Sequence, residues 1–252
     1  TFGTNGSTRP KADGVADAVN RLLQNLVIKC AKSEGIRDYY HVGVIGYGAQ
    51  VGPAFNNSLS GKPLAPISEI ADHPARIEER AKKVDDGAGG VVEQTVKFPI
   101  WFDAVANGGT PMCQALAQAE RVLAEWLSQH PGCFPPIVIN ITDGEATDGD
   151  LSGPANALKN LASKDGGVLL FNIHISSKGS APVEFPDADS TLPDEFSKLL
   201  YNTSSPLPDY MRTVAQQEGY TVSPATRGFV FNGDMVSVVK FLDIGTRPSN
   251  LR

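Results

Sequence analysis

Short apolar runs alternate with longer amphipathic segments along this chain, and that alternation limits the folds it can adopt. Apolar residues recur every three or four positions in residues 11–32 and 111–129, as in helices that bury one face. Continuous apolar runs lie within residues 38–47, 136–142 and 167–175, as in strands covered on both faces. The pattern continues with helices predicted at residues 66–72, 153–163, 194–201, 208–218 and 233–244, and a short strand at residues 228–231. We therefore predict an α/β fold, with a doubly wound, mostly parallel, Rossmann-like sheet flanked by helices.

A β-hairpin-like insertion is predicted between residues 75 and 98. Residues 91–98 (VVEQTVKF) alternate between apolar and polar side chains, and a glycine-rich turn at residues 85–90 precedes them. Residues 75–84 (ARIEERAKKV) fit either the first strand of this hairpin or a helix. The insertion is longer than a minimal connection, so it either contacts a partner protein or extends the sheet.

The composition favours a single soluble domain. The chain has 252 residues, which is enough for one α/β domain with a full core, so one domain is predicted over residues 1–252. Its net charge of −6 repels phosphate backbones, so a nucleic-acid partner is not expected. No apolar run approaches the roughly 18 residues needed to cross a bilayer, so no membrane association is expected. The three cysteines, an odd number without CxxC spacing, indicate reduced thiols and a cytoplasmic location.

Two segments place oxygen-bearing side chains at the ends of predicted elements. Asp143 follows the apolar run IVINI, and open α/β sheets bind ligands beyond the carboxyl ends of their strands. Gly108 and Gly109 permit a tight loop that presents the Thr110 hydroxyl at the start of a helix. Carboxylate and hydroxyl oxygens suit hard divalent cations. Each residue alone also has a structural explanation, Asp143 as a turn carboxylate and Thr110 as a helix cap.

The segments GGTPM (residues 108–112) and ITDGE (residues 141–145), in this order of strands and helices, resemble the von Willebrand factor A (vWA) family. The resemblance covers residues 11–244. In that family a threonine loop and a strand-terminal aspartate help to hold one divalent cation, at the metal-ion-dependent adhesion site. The resemblance implies that Thr110 binds the cation directly and that Asp143 reaches it, often through water. It also implies that Gly108 and Gly109 form the supporting loop.

The resemblance implies a binding function and no catalytic residues, so an enzyme is not expected. A bound Mg²⁺, or alternatively Mn²⁺ or Ca²⁺, would keep one coordination position open for an acidic side chain of a protein partner. Glu145 and Asp148 would make the site negative without acting as ligands. The chain resembles small bacterial intracellular vWA proteins more than secreted adhesive ones, and some proteins of that kind work in stress responses and signalling. Neither the partner nor the oligomeric state follows from the resemblance.

One part of the family pattern does not occur in the sequence. The family's Asp-x-Ser-x-Ser motif follows a central first strand, and no segment of the 252 residues matches it. Only residues 1–9, a polar segment predicted as a loop, precede the first helix. A sheet without its central strand would leave unpaired backbone groups, so we expect the natural gene to encode this strand and motif upstream. The metal site is therefore expected to be incomplete within this sequence.

Three other functions compete with metal-dependent recognition. The strongest is a structural interaction module without a working metal site. Residues 44–52 (VIGYGAQVG) superficially resemble a dinucleotide-binding fingerprint, but Gly52 and Pro53 break the helix that must follow it. A hydrolase is disfavoured because there is no Gly-x-Ser-x-Gly elbow, and because His41 and His174 fall in predicted strands. No HExxH motif or Cys/His cluster predicts zinc.

Overall fold

The computed structural model describes residues 2–4, 7–9, 11–85, 91–105, 107–175 and 182–246. Within these residues the protein is a mixed α/β structure with seven α-helices. The helices are α1 (Lys11–Cys30), α2 (Ile67–Asp72), α3 (Met112–Gln129), α4 (Ser152–Asn160), α5 (Glu195–Thr203), α6 (Asp209–Gln217) and α7 (Met235–Thr246). Each lies close to a segment that was predicted to be a helix.

Sixteen strands complete the described structure, most of them short. They are β1 (Phe2–Thr4), β2 (Ser7–Arg9), β3 (Ala31–Lys32), β4 (Gly35–Ile36), β5 (His41–Val42), β6 (Ile45–Tyr47), β7 (Val51–Pro53), β8 (Ala65–Pro66), β9 (Arg76–Asp85), β10 (Val91–Ile100), β11 (Ile137–Thr142), β12 (Ala162–Ser163), β13 (Gly166–Gly167), β14 (Leu169–Ile175), β15 (Val183–Glu184) and β16 (Phe229–Gly233).

The largest sheet has four strands in the order β11-β14-β16-β15. β14 pairs in parallel with both β11 and β16, whereas β15 pairs antiparallel with β16. The chain passes from β11 to β14 through α4, as parallel neighbours require a crossover. β14 buries nearly its whole length, including Leu170, Phe171 and Ile173, because it is an inner strand. This sheet places the end of β11, where Asp143 follows, at the same edge as the end of β14.

A pair of buried amides joins β11 to β14. Asn140 and Asn172 are direct partners in the parallel register, and the Asn140 Nδ2 donates to the Asn172 Oδ1 at 2.9 Å. The Asn172 Nδ2 in turn donates to the Ser204 Oγ at 2.9 Å and to the Leu200 carbonyl at 3.0 Å. Both amides are therefore satisfied in the core, where an unpaired amide would cost about 1–3 kcal/mol.

The described chain divides into two compact units, the first formed by Thr1–Val15, Ile45–Gly52 and Val105–Arg252. Its core contains side chains from the large sheet and from the helices beside it: Met112, Leu116, Leu123, Leu158, Leu170, Leu200 and Phe229. Gly228 leads into β16 beneath the Phe171 ring, and a Cβ built there would lie 2.1 Å from a ring carbon. Only glycine leaves room for that ring.

The second unit is formed by Ala16–Val44 and Pro53–Ala104. Its core packs the inner face of α1 against the following loops and α2, with Leu23, Leu26, Phe55, Ile70 and Trp101 fully or almost fully buried. The buried Asn20 side chain accepts from the Trp101 backbone N–H at 2.9 Å and donates to the Phe102 carbonyl at 3.0 Å, so a polar residue on the buried face of α1 is satisfied.

The predicted insertion is a β-hairpin. β9 and β10 pair antiparallel along ten residues each, with Arg76 opposite Ile100, so the helical alternative for residues 75–84 is wrong. Phe98 is buried at the base of the hairpin, where the Arg80 guanidinium lies 3.8 Å from its ring centroid. Residues 86–90, most of the predicted turn, lie outside the described residues.

Three local predictions differ from the structure. Residues 38–47 were expected to form one strand covered on both faces, but β5 pairs with β8 and β6 with β7, and most of the segment is half-buried or exposed. Residues 1–9, predicted as a loop, contain the antiparallel pair β1 and β2. β15 lies within residues 176–186, also predicted as a loop, of which 176–181 fall outside the described residues.

Candidate functional site

Two glycines shape the loop that leads into α3. Gly108 has a φ of +78°, and a Cβ built on it would lie 2.6 Å from the Ala49 backbone nitrogen. A Cβ on Gly109 would lie 2.7 Å from the Thr147 hydroxyl oxygen. Both contacts are closer than real Cβ atoms make, so any larger residue would push this loop away from its neighbours. The two residues predicted as a supporting loop therefore hold Thr110 in close contact with other parts of the first unit.

The Thr110 backbone is fastened to the loop that follows β11. Its N–H donates to the Thr147 Oγ1 at 2.9 Å, and its carbonyl accepts from the Thr147 N–H at 3.0 Å. The same carbonyl accepts from the Met112 N–H at 2.7 Å, as the chain turns into α3. The two bonds between Thr110 and Thr147, here called the clamp, use only the backbone of Thr110 and do not involve its hydroxyl.

Asp148, rather than Thr110, caps α3. The two Asp148 carboxylate oxygens accept from the Cys113 N–H at 3.1 Å and the Gln114 N–H at 2.9 Å, two groups that lack partners within the helix. Burial raises the pKa of Asp148, but these N–H groups outweigh it and hold the pKa below its ordinary value. The alternative that Thr110 is a helix cap is therefore wrong, and Asp148 has a structural role that its sequence position did not reveal.

Asp143 stands in a turn fixed by its neighbour. The Thr142 hydroxyl donates to the Gly144 carbonyl at 2.7 Å and accepts from the Gly144 N–H at 3.2 Å. The Asp143 side chain is 57% exposed, and its Oδ2 lies 3.6 Å from the Lys11 Nζ at the start of α1. The carboxylate therefore faces solvent on one side and an ammonium group on another.

The Thr110 hydroxyl and the Asp143 turn lie side by side. A Cβ built on Gly144 would lie 3.8 Å from the Thr110 Oγ1, which is van der Waals distance. The predicted ligand loop, Gly108 to Thr110, and the predicted strand-terminal aspartate thus meet at one edge of the large sheet, although more than 30 residues separate them in sequence.

Tyr47, which is distant in sequence, contacts the end of β11. Its hydroxyl lies 2.7 Å from the Asn140 Oδ1 and 2.6 Å from the Ile141 carbonyl oxygen, so it donates to this pair of acceptors. Burial, helped by the nearby Asp143 charge, raises the pKa of Tyr47, so the phenol remains protonated as a donor. This contact spans 93 residues, and no local pattern in the sequence could have indicated it.

The residues at this edge fit a hard cation in the chemistry of their donors. Thr110 and Asp143 provide a hydroxyl and a carboxylate oxygen, and Mg²⁺ usually takes only one or two carboxylates while keeping several waters. The described residues contain no group of three or more His, Cys, Asp and Glu side chains that could hold a metal. The Lys11 ammonium already places positive charge beside the same carboxylate.

The residues of the rival functions take other roles in the described structure. Gly48 and Gln50 form a tight turn between β6 and β7, closed by a bond from the Gly48 N–H to the Gln50 carbonyl, so no α-helix opens on the glycines of residues 44–52. The His174 ring stacks on Phe231 at 4.8 Å, and its Nδ1 accepts from the Asn232 N–H at 3.3 Å. These contacts agree with the expected structural role of His174.

Comparisons with protein-family models, with curated proteins and with solved structures found no match to this chain. Among the helices of the described residues, none combines the length and the apolar character needed to cross a membrane.

Proposed function

We propose that this chain is a metal-dependent protein-recognition domain of the vWA type, with a doubly wound Rossmann-like sheet, and that it is not an enzyme. Thr110 would bind the cation directly, Asp143 would bind it directly or through water, and Gly108 and Gly109 would hold the Thr110 loop. Mg²⁺ is the proposed ion, with Mn²⁺ and Ca²⁺ as alternatives of the same ligand preference.

The observation that carries this proposal is the 3.8 Å separation between the Thr110 Oγ1 and the Cβ position on Gly144. It supports a shared site because a hydroxyl and an aspartate turn converge beyond the end of a parallel strand, where open sheets bind ligands. The clamp between Thr110 and Thr147 also supports the proposal, because a ligand loop must be held in place before the ion arrives.

A bound cation would supply an open coordination position for a carboxylate of the partner. The chain's own residues would hold the ion in place: Asp148 keeps α3 and its preceding loop fixed, and Tyr47 keeps the end of β11 fixed. A partner in the bacterial cytoplasm with an exposed Asp or Glu fits this chemistry, and the three free thiols suit that compartment.

Titration with Mn²⁺ tests the proposal directly. Thr110→Ala and Asp143→Ala should each weaken Mn²⁺ binding by at least about tenfold, since each removes a ligand or the water bridge it anchors. Asp165→Ala is the matched control, because Asp165 is an exposed turn residue far along the chain from the site. Calorimetry gives the affinities, and EDTA should reverse the binding.

Acetate then serves as a minimal stand-in for the partner's carboxylate. If the open position exists, acetate should displace water from bound Mn²⁺ and lower the water-proton relaxation rate that the ion produces. Unchanged Mn²⁺ affinity in both variants would refute the site. Mn²⁺ binding without any effect of acetate would refute the recognition mechanism.

A structural interaction module without a metal site is the second candidate. The observation that favours it is the Lys11 ammonium, 3.6 Å from the Asp143 Oδ2, which neutralises the carboxylate without a metal ion. Complete lack of Mn²⁺ binding by a folded chain would support this second function over the first.

A further inference from the structure

Lys11 occupies an unusual position for a basic side chain. It is the first residue of α1, where the helix dipole disfavours positive charge. Its side chain is only 17% exposed, whereas that of Asp143 is 57% exposed. An ammonium so covered needs a compensating negative group, and the Asp143 Oδ2 at 3.6 Å provides one.

We propose that Lys11 is a resident counter-cation of the Asp143 carboxylate, and that a divalent metal ion binds there only in competition with it. The inference rests on the proposed metal site and adds a property to it. An ammonium and a metal ion close to one carboxylate repel each other, so the ion binds only if Lys11 moves away or if the ion tolerates the repulsion. Lys11 thereby lowers the affinity for the ion and sets the metal concentration at which the site fills.

The same arrangement keeps the site stable when no ion is present. Without Lys11, the Asp143 carboxylate would lose the only ion pair described for it, in a loop whose sequence also contains Glu145 and Asp148. With Lys11, the metal-free protein holds a neutral pair at the end of β11. The exchange of one cation for another therefore links metal binding to the position of the first turn of α1.

The charge at position 11 can be varied without large changes in volume. Lys11→Met removes the charge and keeps an unbranched apolar stem, and Lys11→Gln is a second neutral variant in case methionine packs poorly. Lys11→Arg keeps the charge. Lys164→Met is the matched control, because Lys164 is an exposed loop lysine of the same unit.

Mn²⁺ affinity measured by calorimetry, with folding checked by circular dichroism, is the readout. Both neutral variants should bind Mn²⁺ about tenfold more tightly than the unaltered chain, within the roughly 5- to 150-fold range of coupled binding sites. Lys11→Arg and Lys164→Met should stay within about twofold of the unaltered chain. Adding Asp143→Ala to Lys11→Met should abolish the gain.

Two results would overturn the proposal, and they separate it from the proposed function. If the neutral variants bind Mn²⁺ no more tightly than the unaltered chain, while Asp143→Ala still weakens binding, the metal site stands and the role of Lys11 is wrong. If neither the unaltered chain nor any folded Lys11 variant binds Mn²⁺, the metal site and the role of Lys11 both fail.

Discussion

Removing the carboxylate of Asp148 should destabilise the first unit through the start of α3. Asp148→Ala removes both hydrogen bonds to the Cys113 and Gln114 N–H groups. Loss of such a cap costs about 1 kcal/mol, within a range of roughly 0.5–2. Loss of negative charge near the helix dipole adds about 0.3–1 kcal/mol. The expected decrease in the free energy of unfolding is therefore about 1.5 kcal/mol.

Urea unfolding followed by tryptophan fluorescence measures this decrease, because Trp126 lies on α3 and stacks on His130 at 3.6 Å. Asp148→Asn keeps an acceptor but loses the charge, so it should cost less than Asp148→Ala. Asp165→Ala is the control and should leave the unfolding midpoint unchanged. A loss below about 0.5 kcal/mol in Asp148→Ala would refute the capping argument.

The effect of Asp148 should also depend on pH in a defined direction. Its pKa lies below the ordinary value of 3.8 in the folded protein, so the folded state binds fewer protons than the unfolded state in this range. The stabilisation relative to Asp148→Asn should be complete above that ordinary value and shrink as the pH falls through the lowered pKa. A gap that instead widens in acid would show that the carboxylate is not held by the helix N–H groups.

Two further substitutions test the support of the site and the core. Tyr47→Phe removes the donor to Asn140 and to the Ile141 carbonyl, so urea unfolding should show a loss of about 1–3 kcal/mol; an unchanged midpoint would mean that the hydroxyl is not needed there. Gly228→Ala places a methyl group 2.1 Å from a carbon of the buried Phe171 ring, and overpacking of this kind costs about 1–3 kcal/mol or more. Thermal unfolding at or above the original midpoint would show that the ring moves aside without cost.

Periodicity in the sequence predicts most of the large elements closely. The helix expected at residues 111–129 is observed at Met112–Gln129, and the strand expected at 136–142 at Ile137–Thr142. Both segments pack apolar side chains against the core, so the spacing of their apolar residues follows the positions that are buried. The hairpin at residues 75–98 was predicted from the alternation of apolar and polar residues, which is typical of strands whose two faces differ in polarity.

Strand partners are harder to infer from sequence than the elements themselves. The apolar run at residues 42–47 suggested an inner strand of a parallel sheet, but β5 and β6 pair with short neighbouring segments. A Cβ on Gly43 would lie 2.2 Å from the Pro63 carbonyl oxygen, so the backbone is approached closely there. An apolar run indicates that a segment is at least partly buried, but it does not indicate which strand pairs with it.

The site shows the same division between local and distant information. Gly108, Gly109, Thr110 and Asp143 could be singled out as candidates because they lie in two short motifs, GGTPM and ITDGE, that are visible in the sequence. The clamp by Thr147, the cap by Asp148 and the Tyr47 contact depend on segments brought together only by folding. Asp148 caps a helix through the Cys113 N–H, 35 positions earlier in the sequence, so no local pattern around Asp148 indicates this role.

The amide pair between β11 and β14 has a consequence for how the chain assembles. If β11 were displaced along β14 by one position, Asn140 would lie opposite Phe171 or Ile173, and the bond between the Asn140 Nδ2 and the Asn172 Oδ1 would be lost. Losing this buried bond would cost about 1–3 kcal/mol, a penalty that aliphatic side chains at the same two positions would not impose. The two asparagines thus select the strand register. They favour the pairing that places Thr142 opposite His174, and this register places Asp143 at the edge of the sheet.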